Sequence, residues 1–302
     1  MRFGGRRSSE NVEFREGGEG RRGFGFGGGG GGGLGGGAGM LIGLVFSRFG
    51  IGGVLVLVLV LYLIGGLGDF GGGGQQAVAP TQQRPAAART CASEPAITFA
   101  CQTLASTEDQ WGVLFTAIGR TYEPPRMVIF RGVDRSGCGT ADARMGPFYC
   151  PADRSIYLDT RFFEELAQRF AAPGDFAQAY VVAHEVGHHI QTVTGTSERI
   201  RQAQSAVREG EANALQVRME LQADCYAGIW AARERSAMEP GDLEEGMTAA
   251  AAIGDDTLQR ATQGVVVPES FTHGTAAQRQ EALMRGYRSG DPAACDVYTQ
   301  GL

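Results

Sequence analysis

Apolar and polar residues are distributed along this chain in three ways, and each predicts a different kind of segment. From Phe49 to Gly68 there are 20 residues without a charge, densest in VLVLVLVLYLI from Val54 to Ile64. A soluble helix keeps one polar face, so an apolar circumference of this length predicts a helix that crosses a hydrocarbon core of about 30 Å. Ahead of it, a third of the 48 glycines lie between Gly17 and Gly39, with Gly27–Gly33 unbroken. Such a composition buries no core and predicts disorder. The run matches GxGxxG many times, but without a preceding strand or a following amphipathic helix it predicts no phosphate site. Behind the apolar segment, Gly71–Arg89 is rich in Gly, Gln, Ala and Pro and reads as a flexible tether.

From about Thr90 the pattern becomes that of a folded domain. Thr107 and Gln110 form a capping box ahead of Trp111, Leu114, Phe115 and Ile118 at helical spacing. Met127–Arg131, Gly146–Cys150 and Ser155–Leu158 read as strands, the last two separated by the turn Pro151-Ala152-Asp153-Arg154. Thr160 opens a helix through Phe170, which Pro173-Gly174 ends. A second helix, capped by Asp175, runs through Ala179, Val182, Ala183, Val186 and Ile190 and stops at Gly195. Further helices are predicted over Ser197–Arg208, Gly210–Arg235, Asp242–Ile253, Asp255–Gln263 and Ala276–Arg288. The expected fold class is α+β, mainly helical with a small sheet. The chain divides into a disordered Gly-rich segment (residues 1–39), a transmembrane helix (40–68), a linker (69–89) and the folded domain (90–302).

Charge and cysteine placement assign sides to this arrangement. Seven arginines precede the apolar segment, ending at Arg48, whereas Asp69 follows it and the next basic residue is Arg84. The positive-inside bias then places the N-terminus in the cytoplasm and the domain outside the cell membrane, with membrane lipid as a partner. Ala77-Val78-Ala79 resembles a signal-peptidase site, but Pro80 follows it, and cleavage is not expected. All six cysteines lie on the expected outer side, and an even number in an oxidising compartment predicts up to three disulfides. The preferred pairing is Cys91 with Cys101, Cys138 with Cys150, and Cys225 with Cys295. A net charge of −6 with arginine as the sole basic residue predicts no nucleic-acid face.

The candidate chemistry is concentrated in VVAHEVGHHIQ, Val181–Gln191. Three of the four histidines in the chain lie here, and His184 and His188, four apart, share one helical face. With Glu185 they make HExxH, in which two imidazoles hold Zn²⁺ and the carboxylate takes a proton from the water to be activated. Gly187 leaves the neighbouring surface bare, so another helix or a substrate backbone can come close. His189 points about 100° away from His188 and is expected to be structural. A catalytic zinc needs a third protein ligand. The elongated metzincin signature is excluded by Gln191 and Thr194. Glu220 and Asp224, four apart in MELQAD, share a face: Glu220 can reach the metal while Asp224 orients a ligand imidazole. Glu209 and Glu211 compete for the ligand role but sit in an expected break between helices. His273 is a candidate donor to a developing oxyanion, and Arg279 a candidate carboxylate binder in the protein or the substrate.

These residues carry a resemblance. HEVGHHIQ, ELQADCYAG, Gly254-Asp255-Asp256 and SFTHGTAAQRQ, with GRRSSENVE near the start, resemble the bacterial neutral zinc metallopeptidase family along nearly the whole chain. Their order is also similar to that of gluzincins that include prenyl-protein-processing membrane proteases. The resemblance implies Glu220 as third ligand and site roles for His273 and Arg279. The combined expectation is a membrane-anchored zinc metalloendopeptidase with a zincin-like domain acting on extracytoplasmic polypeptides. His184, His188 and Glu220 would hold zinc, Glu185 and His273 would act in catalysis, and Asp224 and Arg279 would support them. The rival is a zinc-stabilised scaffold or adaptor binding envelope proteins without cutting them, which has no use for Glu185.

Overall fold

The computed structural model describes residues 1–15, 84–169, 172 and 174–301, all within one unit. Its elements are β1 (Val12–Arg15), α1 (Arg84–Cys91), α2 (Pro95–Ala117), β2 (Arg126–Phe130), β3 (Val133–Ser136), β4 (Gly139–Asp142), β5 (Phe148–Cys150) and β6 (Ser155–Leu158). Then come α3 (Arg161–Arg169), α4 (Asp175–Val193), α5 (Thr196–Ser205), α6 (Glu209–Arg233), α7 (Asp242–Ala252), α8 (Asp255–Gln263), α9 (Ala276–Ser289) and a 3₁₀ segment, Pro292–Tyr298.

The main sheet has the order β1-β2-β6-β5, with β1 and β6 parallel to β2 and β5 antiparallel to β6. Met127–Phe130 and Ile156–Leu158 are buried throughout, the continuous apolar runs that strands covered on both faces require. β5 is the edge beside α4. The β3–β4 hairpin stands apart as a second small sheet, and Cys138–Cys150 ties its turn to β5.

α4 is buried on nearly all sides, which explains its apolar composition outside the histidines. Val182, Val186 and Ile190 pack in one cluster with Leu104 and Trp111 of α2 and with β2 and β6. Ala179, Tyr180 and Ala183 pack in another with Ala227, Trp230 and Ala231 of α6. Gly174, not Asp175, is the residue before the first turn, and Glu245 of α7 accepts from the Phe176 N–H. Asp175 instead meets the Met1 ammonium, together with Asp242.

The expected capping box at Thr107 lies inside α2, where the Thr107 hydroxyl donates to the Leu104 carbonyl. The helix starts earlier, with Pro95 in its first turn, because Ile97, Ala100, Cys101 and Leu104 extend the buried stripe toward Trp111. All three disulfides have the expected pairing: Cys91–Cys101, Cys138–Cys150 and Cys225–Cys295.

The membrane expectation requires correction. Residues 40–68 lie outside the described residues, and among those described no helix is long and apolar enough to cross a membrane. The single-pass arrangement fails on pairing: β1, from before the apolar segment, is parallel to β2, with Val12 opposite Met127 and Arg15 opposite Phe130. A chain crossing once between Arg15 and Arg84 would leave these two strands on opposite sides of a bilayer. Residues 1–15 are likewise part of the folded unit rather than of the disordered segment expected for 1–39, because Met1, Phe3 and Val12 are buried in it. A lipid partner through a spanning helix is therefore not supported.

Candidate metal centre

Two helices converge on the site. α4 stacks His184 and His188 one turn apart, with ring centroids 4.7 Å from each other. Opposite them, α6 comes unusually close at Gly187: a Cβ built there would stand 2.8 Å from the Ala223 carbonyl oxygen. The bare glycine surface lets the α6 backbone in, so Glu220 and Asp224 on either side of Ala223 reach the histidines. Glu220 Oε2 lies 3.3 Å from His184 Nε2 and 3.4 Å from His188 Nε2. Three ligand atoms about 2.1 Å from a common centre at tetrahedral angles stand about 3.4 Å apart, so the two distances from Glu220 suit zinc.

The ring tautomers suit it as well. His184 Nδ1 is 2.8 Å from Asp224 Oδ1 and His188 Nδ1 is 2.9 Å from Gln191 Oε1, so each Nδ1–H donates and each Nε2 keeps its lone pair for the shared space. Charge points the same way. Glu185, Glu220 and Asp224 are buried at the site, and Arg279 is the one buried arginine among the described residues, a surplus of negative charge that suits a cation. Without metal it draws protons. Burial opposes charging of His184, but the Asp224 and Glu220 carboxylates prevail and push its pKa up to about 10; His188 rises for the same reason beside Glu220. Burial also opposes ionisation of Glu220, yet the adjacent imidazoles hold it well below the ordinary carboxylate range.

Asp224 is fully buried and its carboxylate is shared. Oδ1 accepts from His184, from the Tyr180 hydroxyl and from Arg279 Nη2 at 3.0 Å, while Oδ2 accepts from Arg279 Nε at 2.9 Å. Burial works against this charge, but Arg279 and His184 outweigh it and bring the pKa of Asp224 down to about 2. The bidentate contact exists because α9 lies directly on α6: Cβ atoms built on Gly228 and Gly286 would stand 2.1 Å and 1.9 Å from the opposing backbone carbonyl oxygens of Leu283 and Cys225. Arg279 thus meets a carboxylate of the protein itself.

A cavity of about 680 Å³ opens over the site, lined by His184, Glu185, His188, Glu220, His273 and Arg279 among others. Glu185 is buried at its wall and makes no ion pair among the described residues. His273 is half-exposed, with Nδ1 3.2 Å from Asp255 Oδ1. The backbone N–H groups of Thr272, His273 and Gly274 all donate to Asp255 Oδ2, which fixes this loop at the cavity mouth. His189 lies outside the face that His184 and His188 share: Nε2 donates to the Glu123 carbonyl and Nδ1 accepts from the Tyr149 hydroxyl of β5, and burial pushes its pKa down to about 4.

The expected site residues therefore come together around one cavity, with Asp224 behind it. The sequence reading gave no site role to Tyr180, Gln191, Gln216, Gln222 or Asp255, although Gln191 and Asp255 lie in motifs that carry the resemblance. Tyr180 stands four residues before His184 and Gln191 three after His188, on the same helical faces, so spacing alone pointed to both. Gln216 Nε2 donates to Glu220 Oε1 at 2.9 Å and repeats the same spacing on α6.

A family model described as "Putative neutral zinc metallopeptidase" matches residues 1–298. The chain belongs to that family. Membership implies zinc as the cofactor and polypeptides as the substrate class. The "Uncharacterized protein YpfJ" of Escherichia coli (strain K12) is 43% identical over 304 residues, covering 100% of both chains. The "Uncharacterized protein Rv2575" of Mycobacterium tuberculosis (strain ATCC 25618 / H37Rv) is 45% identical over 192 residues, 59% of this chain and 64% of that protein. No solved structure matches the chain.

Proposed function

We propose that this member of the zinc metallopeptidase family is an endopeptidase whose metal is held by His184, His188 and Glu220. The observation that carries the reading is the convergence of His184 Nε2, His188 Nε2 and a Glu220 oxygen within 4.8 Å of one another, with both Nδ1 atoms engaged elsewhere. Bound there, zinc supplies Lewis acidity for water and for the scissile carbonyl. Glu185, one residue after the first ligand, accepts the proton of the attacking water and delivers it to the nitrogen of the leaving amine. Asp224 holds the His184 ring in the required tautomer, and Arg279 and Tyr180 hold Asp224.

His273 reaches the cavity from α9's side. Its Nδ1 lies 3.1 Å from the Thr272 hydroxyl and 3.2 Å from Asp255 Oδ1, which leaves Nε2 as the nitrogen to donate to a developing oxyanion. An extended substrate can pair with β5, whose outer edge carries no strand among the described residues and whose Phe148 and Tyr149 line the cavity. Main-chain pairing of this kind binds peptides with little regard to side chain.

The test is Glu185→Gln. It is expected to bind one equivalent of zinc with wild-type affinity and to lose peptide hydrolysis by a factor of about 10² or more. Hydrolysis persisting in the zinc-loaded variant excludes Glu185 as the base.

A further inference from the structure

The two histidines of the centre are held by different chemistry, and the difference leads away from the cavity. His184 donates to a carboxylate, Asp224, whereas His188 donates to an amide oxygen, Gln191 Oε1. The orientation of that amide is determined by its other end. Gln191 Nε2 lies 2.7 Å from the Met219 carbonyl oxygen and 3.1 Å from Gln222 Oε1. A carbonyl only accepts, so the nitrogen must face Met219 and the oxygen must face His188. Gln222 is oriented in the same way, since its Nε2 meets the Cys295 carbonyl at 3.4 Å and the Thr299 hydroxyl at 3.2 Å.

We infer that Gln191 and Gln222 form a directional amide relay through which the C-terminal 3₁₀ segment sets the ring orientation of the metal ligand His188. Each member donates to the next in one sense: His188 Nδ1–H to Gln191, Gln191 to Gln222, and Gln222 to Cys295 and Thr299. Reversing any one amide would place two nitrogens or two oxygens face to face, so the polarity is set along the whole relay and not at His188 alone. Both amides are buried, where an unmade hydrogen bond is expensive, which makes the relay rigid. The Cys225–Cys295 disulfide anchors its far end to α6, the helix that carries Glu220. The relay supplies an oxygen acceptor behind His188 without adding a carboxylate to a cluster that already holds Glu185, Glu220 and Asp224. Gln191 and Gln222 are positioning residues, acting on the metal through His188.

This inference rests on the proposed zinc site, and the experiment separates the two. Zinc dissociation constants are measured on the full chain by competition with a chromophoric chelator, together with the ¹H resonance of His188 Hδ1 in the zinc-loaded protein. Gln191→Met, similar in length and unable to accept strongly, is expected to raise the dissociation constant about ten- to a hundredfold. It should also move Hδ1 upfield and speed its exchange with water. Gln222→Met and Thr299→Val are expected to shift both observables in the same direction by less, and they carry the test if Gln191→Met does not fold. A shift of Hδ1 in Thr299→Val, at a residue that does not touch His188, is a signature that loss of packing does not mimic. Tight zinc binding by the wild type with an unchanged constant and unchanged Hδ1 in all three variants overturns the relay alone. Failure of the wild type to bind zinc overturns the site and the relay together.

Discussion

Among single side chains, the largest electrostatic commitment is the contact between Asp224 and Arg279, which are 0% and 1% exposed. Neither charge can be left alone in such a place, because breaking a buried, hydrogen-bonded pair typically costs about 3–5 kcal/mol. Arg279→Met is therefore expected to lower the unfolding free energy of the zinc-free protein by about that amount, read from its denaturant midpoint, and to weaken zinc binding as Asp224 loses its support. A loss below about 1 kcal/mol would mean that Tyr180 and His184 suffice to hold the carboxylate. His184, His188, Glu220 and Asp224 were legible in the sequence as candidates because a helix converts a spacing of four into a shared face, and Glu185 from its place beside His184 in HExxH. Arg279 was legible as a site residue but its partner was not, since the pairing depends on how α9 lies on α6. The spacing of Gln191 from His188 was legible, but the orientation of its amide depends on Met219 and Gln222, which no local spacing reveals.

Between elements, backbone proximity decides where the candidate ligands stand. Gly187→Ala places a Cβ against the backbone of Ala223 and is expected to push α4 and α6 apart, costing about 1–3 kcal/mol and a large part of the zinc affinity. Gly112→Ala in α2, where an added Cβ meets nothing within 4 Å, is the matched control. It should stabilise by about 0.5–1 kcal/mol through helix propensity and leave zinc binding unchanged, in thermal melts and chelator competition. The loop carrying His273 depends on a charge instead. Burial opposes ionisation of Asp255, but His273 and the backbone N–H groups hold its carboxyl below the ordinary range. A carboxyl with a depressed folded-state pKa contributes stability that is present above its unfolded value of about 3.9 and is lost as pH falls through the folded one. Amide protection at Thr272, His273 and Gly274, corrected for intrinsic exchange, should persist at neutral pH and drop below about pH 4. Asp255→Asn should remove that dependence. The helices around the site were legible from their apolar period to within a few residues. The β3–β4 hairpin and the true start of α2 were not: the hairpin is mostly exposed and its sequence has no alternation of apolar and polar residues, and an internal Thr107 imitates a cap whose hydroxyl is spent on the preceding turn.

Across the whole molecule, the segment least legible in the sequence is the N-terminal one. Residues 1–15 were read with the glycines that follow them, and β1 has only four residues, too few to show a period. Its partner β2 lies beyond the apolar segment, and only the folded chain shows that the two are adjacent. The arm is fastened along its length. Arg6 pairs with Glu234, Arg7 with Glu108 and Asp109, and Ser9 and Asn11 both donate to Glu108. The GRRSSENVE motif is thus a set of contacts to α2 and to the end of α6. Phe3, 3% exposed, shares a cluster with Tyr180 and Trp230 and lies 5.4 Å from Phe99 between ring centroids. If the arm belongs to the cooperative unit, Phe3→Ala costs the transfer and cavity terms of a core phenylalanine, about 3–5 kcal/mol. The denaturant midpoint followed by tryptophan fluorescence should then fall with an unchanged slope, since Trp111 and Trp230 lie in the two core clusters that flank α4. If the arm docks as an appendage, the same substitution frays residues 1–15 alone, the midpoint stays, and hydrogen exchange quickens in β1 but not in α4. The burial of Phe3 against Tyr180's cluster, on the helix that carries both histidines, favours the first outcome.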